Sequence, residues 1–165
     1  MRFQSPFLHA IACFYNFFIR FGGNLQSLFL LYMRVTWGHQ LIIFGWEKLH
    51  SIEKTAGFFA SLHISNPYFS AYLTGWVELL GGICLIVGLA SRVASIPLII
   101  IMLMALSTAH APEISGFRFL FEPLSLVRQA PYPFLITALL VFIFGPGRIS
   151  LDAWLKRWSE RQPKY

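Results

Sequence analysis

Six ionisable residues fall within or at the ends of apolar stretches of this chain: Arg34, His39, Glu47, Lys48, Glu78 and His110. A titratable group in hydrocarbon is costly and normally faces protein or a water-filled space, so each is a candidate for chemistry. Glu78 is the sharpest case. It lies in Gly75-Trp76-Val77-Glu78-Leu79-Leu80-Gly81-Gly82, and the apolar run continues through Val87. Two uses of such a carboxylate are open. Paired with Arg34, it would be a structural ion pair fixing helix register. Alternatively, it belongs to a polar site suited to proton transfer or to a quinone carbonyl. The catalytic candidates are Arg34, Lys48, Glu78 and His110, and the cofactor-binding candidates are Arg34, His39 and Glu78.

Spacing sorts these residues. Arg34, Gly38, Leu41, Gly45 and Lys48 step by four, three, four and three, which puts them on one helical stripe. Gly75, Glu78 and Gly82 make a second stripe, with Gly81 beside it. Small residues on both seams let two helices approach closely. Glu78 falls near the middle of its apolar stretch, and Arg34 lies about four residues (roughly 6 Å) to one side of the middle of its own. A long guanidinium side chain covers that offset, so an Arg34–Glu78 pair is expected.

The remaining candidates separate. His39 falls off the main stripe and reads as a hydrogen-bonded core histidine. His39 and His110 differ in depth by about ten residues, roughly 15 Å of rise, too far for two axial ligands of one haem. Glu47, Lys48, His50, His110 and Glu113 gather at the ends of two apolar stretches. They form a solvated rim or a site for a small polar substrate, with Lys48 set apart because it ends the small-residue stripe. No histidine pair has i, i+4 spacing, so no metal centre is expected. Cys13 and Cys84 form no CxxC motif, and Cys84 reads as a small apolar residue.

The elements that position these groups belong to a membrane protein. Of 165 residues, 56% are hydrophobic and 12% charged, with mean hydropathy +0.62; soluble domains carry about 25% charged residues. Seventeen Phe side chains cannot all be buried in so small a globule. Apolar stretches near 27–49, 69–90, 93–111 and 131–147 approach the roughly 20 helical residues that a crossing needs, and residues 88–92 join the second and third into a hairpin. The fold class expected is an all-α membrane protein: a four-transmembrane-helix bundle with an amphipathic C-terminal interfacial helix, in one domain. Residues 1–26 form an N-terminal interfacial segment, broken from the first span at Gly22-Gly23-Asn24. In 148–165, Leu151, Trp154, Leu155 and Trp158 share one face, with Ser150 as N-cap and Asp152 in the first turn. With both termini inside, Arg2, Arg20, Arg92, Arg148, Lys156, Arg157, Arg161 and Lys164 are cytoplasmic, against Lys48, Lys54, Arg118 and Arg128 outside. That bias favours cytoplasmic termini. Without a basic groove interleaved with aromatics outside the spans, the net charge of +6 does not indicate nucleic acid.

Four segments carry a resemblance. "IIFGWEKL" (42–49), "GWVELLGGICLIVGLASR" (75–92), "AHAP" (109–112) and "GPGRISLD" (145–152) resemble, in order and spacing over about residues 28 to 155, the DoxX family of small prokaryotic membrane proteins. The tail resembles the family's Gly-x-Gly-Arg-x-Ser-Leu-Asp ending. Arg34, Gly45, Lys48, Glu78, Gly81, Gly88, Arg92 and His110 match its recurring polar and glycine positions. The resemblance implies a four-helix bundle in the prokaryotic plasma (inner) membrane. It also implies an association with oxidoreductase systems, such as DoxD-type subunits of thiosulfate:quinone oxidoreductase or membrane partners of thiol-oxidative-stress enzymes. Before the fourth span, where the family pattern has an acidic residue, this chain reads "RQAPYP" (128–133). Three functions are carried forward. The first is a subunit of a membrane oxidoreductase system using quinone as its possible cofactor, with a soluble or membrane oxidoreductase partner or a second copy of itself. The others are a non-catalytic anchor for a soluble partner and a small transporter.

Overall fold

Glycines set the packing of this molecule. A computed structural model describes residues 6–108 and 127–160, with only the backbone described for 6–13 and Arg20. Six helices are described: α1 (Pro6–His50), α2 (Ile52–Ser61), α3 (Pro67–Val87), α4 (Ser91–Thr108), α5 (Pro131–Phe144) and α6 (Leu151–Glu160). The two small-residue stripes meet as expected, making α1–α3 the most extensive interface. A Cβ placed on Gly45 would lie 2.7 Å from the Gly75 carbonyl oxygen, and one on Gly82 would lie 2.7 Å from that of Gly38. Backbone therefore packs against backbone. Gly81 turns instead to α4, where a Cβ would strike Leu98 at 2.9 Å.

The long helices α1, α3, α4 and α5 form a ring, each touching the next, around Leu41, Leu85, Leu98, Phe134 and Val141. Buried positions also include Arg34, Glu78, Ser91, Ser95 and Thr137, while Phe17, Phe29, Trp76, Ile100 and Phe142 are exposed. This inverts the pattern of a water-soluble domain and fits an apolar solvent. By length and composition α3 and α4 are long and apolar enough to cross a membrane, and α5 is a shorter apolar helix.

The α3–α4 hairpin forms through a tight turn at 88–90. Gly88, at φ 74°, ends α3 in the left-handed region, where its N–H donates to the Cys84 carbonyl at 2.8 Å. Ser150 caps α6 as anticipated, its Oγ accepting from the Ala153 N–H at 3.1 Å. Of the described C-terminal residues, α6 buries none and exposes Trp154 and Trp158, as an interfacial helix would.

One expectation about the helices needs correction. The chain does not break at Gly22-Gly23-Asn24, because α1 runs helically through them to His50. Glycine lowers helix propensity by only about 1 kcal/mol, which neighbouring turns override. Within residues 50–68, between the first and second apolar stretches, α2 packs across α3. The end of the third apolar stretch at 109–111, the segment carrying Phe117, Phe119, Leu120 and Phe121, and the tail 161–165 lie outside the described residues.

The glycines are therefore expected to differ sharply on substitution. A Cβ at Gly22 or Gly23 meets nothing within 4 Å. Alanine at either should leave thermal unfolding in detergent unchanged or raise it slightly, whereas Gly45→Leu should abolish recovery of folded protein from membranes.

Candidate functional site

Lys48 and Glu78, not Arg34 and Glu78, form the ion pair found among the described residues. The Lys48 ammonium donates to both carboxylate oxygens of Glu78. The Glu78 side chain is 4% exposed and that of Lys48 29%, so the carboxylate is dry while the ammonium reaches open space.

Helix geometry explains the partner. The glycine contacts put Glu78 about level with Phe44 on the antiparallel α1, one turn from Lys48 and about ten residues, roughly 15 Å, from Arg34. Every Cα–Cβ bond leans toward the N-terminus of its own helix. Lys48 thus leans back toward Glu78, and Glu78 leans back along α3 toward Lys48. Arg34 leans the other way. Matching the middles of the two apolar stretches misplaced the register, and the side-chain lean makes the error decisive.

Arg34 is fully buried and serves a different purpose. Its Nε donates to the Leu85 carbonyl at 2.7 Å and Nη2 to that of Ile86 at 3.0 Å, both in the last turn of α3. Its Nη1 donates to the carbonyls of Pro146 and Ile149, the latter at 3.1 Å, in the α5–α6 link. A cation suits a helix C-terminus, where carbonyls lack helical donors. Asp152 acts on Arg34 electrostatically from nearby. The same carboxylate accepts from the N–H groups of Ala90 at 2.8 Å and Ser91 at 3.1 Å, capping the start of α4. The "GPGRISLD" segment is thus a structural knot, with Gly145 and Gly147 at φ 79° and 81° turning the chain beneath Arg34.

Lys48 and Glu78 line a cavity of about 840 Å³ between α2, the C-terminal ends of α1 and α4, the first half of α3 and the start of α5. Its walls include Phe44, Phe58, Phe59, Ile64 and Ile101, with Lys54 a second cation. Its volume lies within the 300–1,000 Å³ typical of small-molecule sites, which are mostly apolar with a few convergent polar groups. The α2 wall was missed from sequence, although Glu53 in its first turn and Phe58 and Phe59 near its end signal an amphipathic segment.

Other candidates fall elsewhere. His39 is exposed on α1, so the expected core histidine is not one: its helix face points away from the bundle. Glu47 and His50 are exposed near the end of α1. Glu47 still lines the cavity, and the His50 ring lies against Trp46 with centroids 4.2 Å apart. His110 and Glu113 lie outside the described residues. Among the described residues no group of three His, Cys, Asp or Glu side chains converges on a point that could hold a metal ion.

Because the pair is shared and Glu78 is buried, Lys48→Met or Glu78→Gln alone should each destabilise the protein by about 3 kcal/mol. The double variant should cost clearly less than their sum in equilibrium unfolding. Arg34→Lys should prevent accumulation in the membrane fraction, since one ammonium cannot span carbonyls on two elements.

The comparisons with known proteins place the chain in a family. The DoxX family model matches residues 29–111, from the buried stripe of α1 to just beyond α4. A Bacillus subtilis (strain 168) protein named "Putative oxidoreductase CatD" is 27% identical over 127 residues, covering 76% of this chain and 85% of that one. No solved structure gives a significant match. The family model spans half the chain and contains Arg34, the glycine seam, Lys48 and Glu78: this protein is a member of the DoxX family.

Proposed function

We propose that this DoxX protein is a four-span subunit of a membrane oxidoreductase system, linking the quinone pool to sulfur, thiol or oxidative-stress chemistry. The observation that carries the proposal is the Lys48–Glu78 pair lining a largely apolar cavity of about 840 Å³. The name of the Bacillus subtilis relative, "Putative oxidoreductase CatD", supports the reaction class. Both termini lie on the cytoplasmic face of a prokaryotic plasma membrane in this reading, which the lysine and arginine distribution favours.

Four crossings require α5 to count as one. Its 14 residues rise about 21 Å, short of the roughly 30 Å hydrocarbon core. The irregular link after it continues the crossing inside the protein, where Arg34 satisfies the carbonyls of Pro146 and Ile149. Non-helical backbone at membrane depth is tolerable only with such partners.

The residues fit a quinone. A bound quinone supplies two-electron, two-proton acceptor chemistry. Phe44 and Phe59 offer flat apolar walls, and exposed Ile100 and Met104 at the margin leave a route for an isoprenoid tail into lipid. Lys48 is a hydrogen-bond donor available to a carbonyl oxygen and holds a proton at Nζ. Glu78 orients that ammonium and stores the compensating charge. The chain's two cysteines form no CxxC motif, so a partner oxidoreductase delivers the electrons.

Membranes containing the wild-type protein should show thiol- or thiosulfate-dependent quinone reduction, and the purified protein should retain quinone on gentle extraction. Lys48→Met should lower bound quinone at least tenfold while preserving helical content. Equal quinone in both proteins, or no substrate-dependent reduction, would overturn the proposal.

A further inference from the structure

A second cavity, of about 1090 Å³, opens at the opposite end of the bundle between α1, the start of α4, the α5–α6 link and α6. Four cationic side chains line it: Arg92, Arg148, Lys156 and Arg157. Two carboxylates also line it, but Asp152 is occupied by the N–H groups of Ala90 and Ser91, leaving Glu160 in the last turn of α6.

The hydrogen-bond acceptors of the guanidinium groups here are neutral. Arg92 donates to the Ile143 carbonyl at 3.4 Å, Arg148 to the Asn24 side-chain oxygen at 3.0 Å, and Arg157 to the Arg148 carbonyl at 3.2 Å. Among the described residues none of the three lies in a salt bridge, the ion pair present being Lys48–Glu78. Each guanidinium carries five N–H donors, so most remain available in a planar fork suited to phosphate oxygens. The bond from Arg157 to the Arg148 carbonyl brings these two cationic segments together at the mouth of the cavity. Beside them, the exposed Val93 on α4 and Phe144 on α5 form an apolar flank. Charge inside and hydrocarbon beside it match the shape of a phospholipid at the membrane interface.

We propose that this cavity binds the phosphate of an anionic phospholipid headgroup, with Arg148 and Arg157 as the principal donors and Arg92 and Lys156 completing the positive surround. Basic pockets between helices on the cytoplasmic side take such headgroups in other membrane proteins. The acyl chains lie along Val93 and Phe144. The site is independent of the quinone cavity, which sits at the other end of α1 and α3.

The test uses full-length protein in nanodiscs of phosphatidylcholine alone or with one-fifth phosphatidylglycerol, and in detergent with inorganic phosphate. Native mass spectrometry counts retained lipid, and thermal unfolding reports stabilisation. Wild-type protein should retain phosphatidylglycerol over phosphatidylcholine and unfold at a higher temperature in its presence, with millimolar phosphate giving little effect. Arg148→Gln combined with Arg157→Gln should weaken phosphatidylglycerol retention at least tenfold, while Arg128→Gln, which removes a cation remote from the cavity, should not. Absence of a preference in the wild-type protein overturns the proposal whether or not the double variant folds. So does equal loss with Arg128→Gln. Stabilisation by phosphate alone equal to that by lipid would replace the lipid with a free anion and overturn the lipid assignment.

Discussion

One buried guanidinium holds this bundle together. Arg34 comes from the first long helix, yet it binds carbonyls from the end of α3 and from the link into α6. A fully buried cation without these acceptors would be prohibitively costly, and the carbonyls would have no donors in a hydrocarbon setting. Each side makes the other tolerable. The restriction at Gly88 follows from it, since a Cβ there would collide with both the guanidinium and Ser150.

The glycine seam works in concert with that clamp. Arg34 fixes one end of the α1–α3 contact, and backbone contact at Gly38, Gly45, Gly75 and Gly82 fixes the register along it. Lys48 arrives at Glu78 as a consequence of both. The ion pair is therefore positioned by rigid helix-to-helix contact and not by a loop, which favours a preorganised polar group in a low-dielectric setting.

Much of this was legible from residue spacing. The stripes on α1 and α3 identified the two helices that meet, because small residues at helical spacing signal close approach wherever they occur. The tight α3–α4 turn and the Ser150 cap were also readable, since both depend on local chemistry. What failed was the assignment of partners across helices. Arg34 and Glu78 have opposite charges and similar apparent depth, but depth within an apolar stretch does not set register; the glycine contacts do. The roles of Arg34 toward backbone carbonyls and of Asp152 toward the start of α4 escaped for a related reason: backbone acceptors and donors leave no mark on side-chain patterns. His39 was misjudged because a titratable residue in an apolar helix was assumed to turn inward, whereas its helix face points outward.

The clamp also orders events in time. Two of its acceptors lie 112 and 115 positions downstream of Arg34, so translation produces them long after the first helix has emerged. Until then the guanidinium has half of its eventual backbone ligands, and the α1–α3 pair is held mainly by its glycine contacts. Completion of the bundle is thereby tied to synthesis of its final segment. A chain interrupted before Pro146 leaves this cation only partly satisfied, a chemical mark by which an unfinished product differs from a finished one.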